Sequence, residues 1–224
     1  MTANAQLADV STWIFGEGRE ISDSLRSFPI SVGGKWLSVQ LLETTSPFEP
    51  SSLTEGATRK TLTLRLNKEW DEPFGSMEEA LVKLMAKKSK EIFGKKLSEE
   101  QLHGSYKPIS KKTGEYPRNL RAKVNQGGQY ATRYWGADKA ATQPPETHAG
   151  QSFNAVVNLR SLWVSADAWG LVCDAAHLQI VDGAPVECPF GGGGPTHSEA
   201  QAFLERRNSS ATLLSTHPLG MSVP

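Results

Sequence analysis

Thr61-Leu62-Thr63-Leu64-Arg65-Leu66-Asn67, followed shortly by Ser76-Met77-Glu78-Glu79 and an apolar stripe running to Gly94, is the stretch on which the fold reading turns. Leu62, Leu64 and Leu66 alternate with Thr61, Thr63 and Arg65, and a period of two marks a strand with one buried face. Ser76 and Glu79 have capping-box spacing, in which the hydroxyl and the carboxylate each satisfy an orphan amide of the first turn. Met77, Leu81, Leu84, Met85 and Ile92 then recur at helical spacing, and Gly94 supplies a left-handed stop. One strand therefore leads into one substantial helix, expected over residues 76–93.

Working outward, every other strong signal is a strand. Residues 25–30 and 36–44 are apolar runs on either side of Gly33-Gly34, which reads as a hairpin turn. Asn119 to Asn125 alternates, with Leu120, Ala122 and Val124 on one face and Arg121 and Lys123 on the other. Gln129 to Trp135 is expected to be its hairpin partner across Gly127-Gly128. Residues 153–164 and 169–181 are the longest strands and form one long hairpin about Ala166-Asp167. Ser98 to Gln101 repeats the capping box and opens a short helix ending at Gly104.

These elements predict a mainly-β or α+β domain, best read as a small barrel of five to seven strands of the OB type. Such a barrel carries its helix between the third and fourth strands, the place that residues 76–93 are expected to fill. The domain is expected over residues 25–182, after an N-terminal extension (1–24) and before a tail (183–224). Gly191 to Gly194 reads as a linker to that tail, with a short helix at 198–207. Trp36, Trp163 and Trp169 lie in apolar strands and read as core.

The chain has 24 basic and 24 acidic residues, but they are unevenly placed. Twelve Lys/Arg and four Asp/Glu fall between Lys83 and Lys123, against twelve and twenty elsewhere. A cancelling distribution of this kind produces a local positive field. The helix accounts for part of it, because acids at its start and lysines in its later turns suit the macrodipole.

Catalytic signatures are missing from the sequence. The glycine run at 191–194 lacks the Lys-Ser/Thr of a phosphate loop. The five histidines are scattered, and Cys173 and Cys188 fit no zinc spacing, so neither a metal nor a cofactor is expected. The two cysteines read as one core thiol and one loop thiol. No membrane-length apolar run or secretory leader is evident, so the expected setting is intracellular. The chain is expected not to be an enzyme.

The binding signal is stronger. Holding single strands without sequence preference requires cations along the backbone path and rings on which bases stack. Lys95, Lys96, Lys107, Lys111, Lys112, Arg118, Arg121, Lys123 and Arg133 are interleaved with Tyr106, Tyr116, Tyr130, Tyr134 and Trp135. These fourteen residues are the expected nucleic-acid contacts.

Three runs also resemble a family: Ser89 to Ser98, Tyr106-Lys107-Pro108-Ile109, and Tyr116 to Val124. They are similar to the single-stranded-DNA-binding proteins of large DNA viruses of algae and protists, relatives of the T7-type phage protein. Ala155 to Val164, Trp169-Gly170-Leu171 and Leu178-Gln179-Ile180 resemble that family's closing hairpin. The resemblance spans about residues 25–182. It implies an OB fold and sequence-independent binding of single-stranded DNA in replication, recombination or repair. The matching groove residues are Lys95, Lys96, Lys107, Arg118, Arg121 and Lys123. RNA stays open as a ligand, as do replication or recombination proteins and a homodimer as partners. The phage members' acidic tail has no counterpart in Ser215 to Pro224, so recruitment through a tail is not carried over. The alternative reading is a structural or adaptor subunit of a larger nucleoprotein or viral assembly.

Overall fold

The computed structural model describes residues 7, 9–52 and 54–181, and the tail expectations and Cys188 lie outside them. In chain order the strands are β1 (Ile14–Phe15), β2 (Arg19–Ser22), β3 (Leu25–Ser31), β4 (Leu37–Thr45) and β5 (Arg59–Arg65). Helices α1 (Lys68–Lys87), α2 (Ser89–Phe93) and α3 (Glu99–Ser105) follow. After them come β6 (Tyr106–Lys107), β7 (Ser110–Lys111), β8 (Asn119–Asn125), β9 (Arg133–Trp135), β10 (Ala141–Thr142), β11 (Ser152–Ser165) and β12 (Trp169–Ile180). Among the described residues no helix is long and apolar enough to cross a membrane.

Five strands close a ring. β4 pairs β5, β5 pairs β8, β8 pairs β12, β12 pairs β11, and β11 returns to β4. Numbered within the ring, the order is 1-2-3-5-4-1, with the β8–β12 contact parallel, which is the topology of an OB barrel. Alternation decides which side chains fill it. Val39, Leu41, Leu62, Leu64, Leu120, Ala122, Val157 and Cys173 are all buried in one continuous core. The β4–β5 seam is short, and Ser51 extends it by exchanging two backbone hydrogen bonds with Thr61 (2.9 and 2.7 Å).

The expected strands at 61–67 and 119–125 and the long hairpin at 153–181 are present with small boundary changes. Four other expectations change. The helix sits between the second and third ring strands, because β3 lies outside the closed ring. It also opens eight residues early, at Lys68, with Pro73 inside it. Pro73 leaves the Glu69 carbonyl without its helical donor, and burial of Trp70, Phe74 and Met77 holds the first turns in place nonetheless. Gly33 and Gly34 do make a tight turn with consecutive positive φ (58° and 76°). It is not a hairpin between two paired strands: β3 pairs residues 161–165 of β11 and β4 pairs residues 152–159, so both run the same way along one neighbour. Finally, β9 pairs β12 and β10 rather than β8.

Residues 9–24 are packed against the barrel strands. Val10 and Trp13 are buried, and β1 and β2 both pair β3. The Ser98 cap forms as expected. Ser98 Oγ accepts from Gln101 N (3.2 Å) and Gln101 Oε1 accepts from Ser98 N (2.9 Å). Trp169 joins helices to barrel: its Nε1 donates to the Leu102 carbonyl (2.9 Å), and Tyr106 packs on its ring at 4.5 Å.

Candidate nucleic-acid interface

The polar faces of β5 and β8 lie side by side on the outside of the barrel. Their register pairs Arg59 with Asn125, Thr61 with Lys123, Thr63 with Arg121, and Arg65 with Asn119. Successive outward residues on one strand are about 6.6 Å apart, so the cations form a spaced row rather than a knot. Lys123 Nζ donates to Thr61 Oγ1 (2.7 Å). Burial holds the Lys123 amine below its usual range, with Arg59 and Arg121 acting the same way and Asp174 against them.

Beyond Lys123 the face crosses to β12 and β11. Asp174 is 3% exposed and stands opposite Lys123. Arg59 Nη2 reaches its Oδ1 at 3.0 Å, and Arg160 Nε lies 2.7 Å from its Oδ2. Arg160 sits where the β11–β12 register slips between Leu159 and Ser161, a bulge that re-aims its side chain across the face. Its guanidinium carbon lies 3.7 Å from the Tyr130 ring centre and 5.9 Å from that of Trp36. The two rings are 5.7 Å apart, and both are solvent-exposed (Trp36 49%, Tyr130 39%). Arginine over an aromatic face is attracted by the ring quadrupole, which fixes Tyr130 while leaving part of its ring open. Asn125 Nδ2 also donates to the Tyr130 carbonyl (3.2 Å), tying this loop to the end of β8.

The residues expected from sequence divide into three groups. Arg121, Lys123, Tyr130 and Arg133 belong to this face or its edge. Lys95, Lys96, Lys107, Lys111 and Tyr116 are exposed elsewhere, on the turn after α2, on β6 and β7, and in the loop before β8. The third group is engaged internally. Arg118 Nε donates to Asp71 Oδ1 (3.1 Å) and its Nη1 donates to Ser110 Oγ (3.0 Å), 3.7 Å from Glu78. Gly75 makes room for it, since a Cβ there would stand 2.7 Å from Arg118 Nη2. Lys112 is paired with Asp71 (2.6 Å). The Tyr106 hydroxyl donates to Glu78 (3.2 Å), and burial pushes that carboxyl above its usual range against the opposing pull of Ser110, Arg118 and Tyr106. The Tyr134 hydroxyl meets His148 Nε2 at 2.9 Å, and Trp135 Nε1 donates to His177 Nδ1 (3.1 Å).

Three members of the face are not among the expected residues: Trp36, Arg59 and Arg160. Trp36, expected in the core, is half exposed. Trp169, with the same expectation, is buried, and Trp163 is intermediate. The sequence does hold signals for the two arginines. Arg59 continues the polar alternation of Thr61, Thr63 and Arg65, and Arg160 is the only cation in the long apolar run of β11. Among the described residues no group of acids, histidines and cysteines is placed to hold a metal.

Fold and site together define an OB-like, mainly-β barrel with a basic and aromatic outer face. No family model matches the sequence, and no curated protein matches it. Solved structures similar to the chain include the single-stranded DNA-binding protein from bacteriophage Enc34 in complex with ssDNA. It has a TM-score of 0.44 and 9% identity, covering 77% of this chain and 98% of that one. The Enc34 protein in a second structure gives a TM-score of 0.43 at 9% identity, over 84% and 99% of the two chains. The gp2.5 single-stranded DNA binding protein encoded by bacteriophage T7 gives 0.39 at 12% identity, over 84% and 98%.

Proposed function

We propose that this chain binds single-stranded DNA without sequence preference across the outer face of β5, β8 and β12, as a non-catalytic protein that protects single strands during replication, recombination or repair. The observation that carries the reading is the cluster of three planar groups, Trp36, Tyr130 and Arg160, beside the row formed by Arg59, Lys123 and Arg121. Bases stack on the planar groups whatever their identity, and phosphates follow the cations. In OB barrels this second-and-third-strand surface is the usual seat for oligonucleotides. Duplex DNA, with its bases already stacked, offers such a site only its phosphates.

The test is a fluorescence titration of the chain with a deoxythymidine oligonucleotide, a matched duplex and a matched RNA at two salt concentrations. Tight binding of the single-stranded DNA, quenching of Trp36 and weakening with salt are expected. No binding at low salt overturns the proposal, and equal binding of the duplex overturns the stacking part of it.

A further inference from the structure

At the end of the barrel next to this face lies a second cavity, a cleft of about 950 Å³ between the β4–β5 connection and the segment 141–148. Arg133 lines both this cleft and the smaller depression that holds Trp36, Tyr130 and Arg160. A strand leaving the stacking platform past Arg133 thus meets the cleft next. Its volume suits a small organic ligand, at the upper end of the usual 300–1,000 Å³ range.

The groups around the cleft favour an uncharged, flat, hydrogen-bonding occupant. Val124 and Pro50 give it apolar wall, and the half-buried Trp135, with the edge of the nearly buried Tyr134, gives it ring surface. The side-chain amides of Gln126 and Gln143 line it and have no partner among the described residues, and each offers a donor and an acceptor in one plane. The nearby acid is already engaged. Glu49 Oε1 accepts from the backbone of His148 and Ala149 (2.9 Å each) and from the Thr147 hydroxyl. Lys60 and Arg133 supply positive charge for a phosphate, while Glu49 and Glu146 disfavour one inside. From this geometry we infer that the cleft accepts one unstacked nucleobase of the bound strand, its Watson–Crick edge met by Gln126 and Gln143 and its phosphate left at Arg133. Single-stranded bases are free to be splayed out in this way. The inference rests on the proposed single-strand binding and adds to it a place where one base is held by its edge, by amides that can turn donor or acceptor toward any base.

The experiment uses the full chain and a deoxythymidine oligonucleotide of about 16 nucleotides, carrying 5-iododeoxyuridine at one of several positions in turn. Ultraviolet crosslinking to aromatic side chains is mapped by mass spectrometry. Crosslinks to Tyr134 or Trp135, besides those to Trp36 or Tyr130, are expected. The paired substitution Gln126→Leu and Gln143→Leu, both at exposed positions, is expected to weaken binding about tenfold through two lost hydrogen bonds, with folding unchanged. It should also remove the Tyr134 and Trp135 crosslinks selectively. Crosslinks confined to Trp36 and Tyr130, or full affinity in the double variant, overturn the cleft inference and leave the outer-face reading standing. Failure of the unaltered chain to bind the oligonucleotide overturns both.

Discussion

Arg118 and Arg160 each reach a buried carboxylate, and the two networks end differently. Arg118 is enclosed between α1 and β8, with its donors on Asp71, Ser110 and the edge of Glu78. Arg160 meets Asp174 at one end only, and its Nη1 has no hydrogen-bond partner among the described residues. Instead its flat face rests on Tyr130, and Trp36 stands beside it, open to solvent. The same pair of residue types thus serves two purposes. A guanidinium whose donors are taken within the fold holds helix to barrel. The other is nearly as enclosed, 20% against 16% exposed, but its flat face, pinned by one acid, holds the exposed Tyr130 ring in place on the outer face.

The comparison breaks most decisively at Arg118. Arg118→Ala leaves the buried Glu78 without its cation and Asp71 with Lys112 alone, and removing one partner of a buried pair costs about 3–5 kcal/mol. A urea or guanidinium unfolding curve is expected to show that loss, whereas oligonucleotide affinity per folded molecule stays the same. If binding falls but stability does not, the assignment of Arg118 to the interior is wrong. The converse holds on the outer face. Arg121→Glu with Lys123→Glu is expected to reduce affinity for single-stranded DNA more than tenfold and to flatten its salt dependence by about 0.7 per lost phosphate contact. Arg121→Glu alone should hardly move the unfolding midpoint, since Arg121 is exposed, whereas Lys123→Glu gives up the Thr61 bond and faces Asp174, so the pair should lower the midpoint, though less than Arg118→Ala does. Tyr130→Ala is a smaller test. Loss of one stacked base is worth about 1–3 kcal/mol of binding, read by titration, with a salt slope equal to that of the unaltered chain because no phosphate contact is lost.

What the sequence discloses follows from how local each signal is. Alternation in Thr61 to Leu66 and in Leu120 to Val124 depends on nothing but the strand itself, so both the strands and the outward direction of Arg121 and Lys123 are legible. So is the Ser98 cap, which closes within four residues. The helix start is not, because the capping-box spacing at Ser76 points to a later one, and only the tertiary burial of Trp70 and Phe74 carries the helix back to Lys68 past Pro73. Tyr106, Arg118 and Tyr134 sit in polar surroundings along the chain, and their burial arises from partners 28, 47 and 14 residues away. Trp36 misleads for the opposite reason. It follows a glycine turn that ends one strand and restarts the next in the same direction, which leaves the ring on the rim of the barrel. Nearness in sequence supplies the composition of the face, and ring closure chooses its members.

A third buried polar network lies between these two extremes and gives the smallest effect. His148 is nearly enclosed in the cleft wall, with Tyr134 at Nε2 and the Glu49 carboxylate 3.8 Å from Nδ1. Burial holds its imidazole below the usual histidine value of 6.5, Glu49 opposes this and Lys60 adds to it. The folded chain therefore resists a proton that the unfolded chain takes up. Where the unfolded state binds more protons, stability rises with pH. His148 should thus contribute fully above about pH 6.5 and progressively less as the pH falls from there through its lowered folded value. His177 shifts in the same direction through burial and Arg133, so it adds to the slope. Urea midpoints at about pH 7.5 and about pH 5.5 should differ in the unaltered chain, the more acidic sample unfolding earlier. His148→Gln should flatten part of that difference and leave the His177 part. An unchanged difference would mean that the Glu49–His148–Tyr134 contact carries no load in this range. In the Arg118 network Asp71, held below the usual carboxylate range chiefly by Lys112, stays ionised throughout the same step, whereas Glu78, raised by burial, contributes with the opposite sign, and His148→Gln leaves that contribution in place.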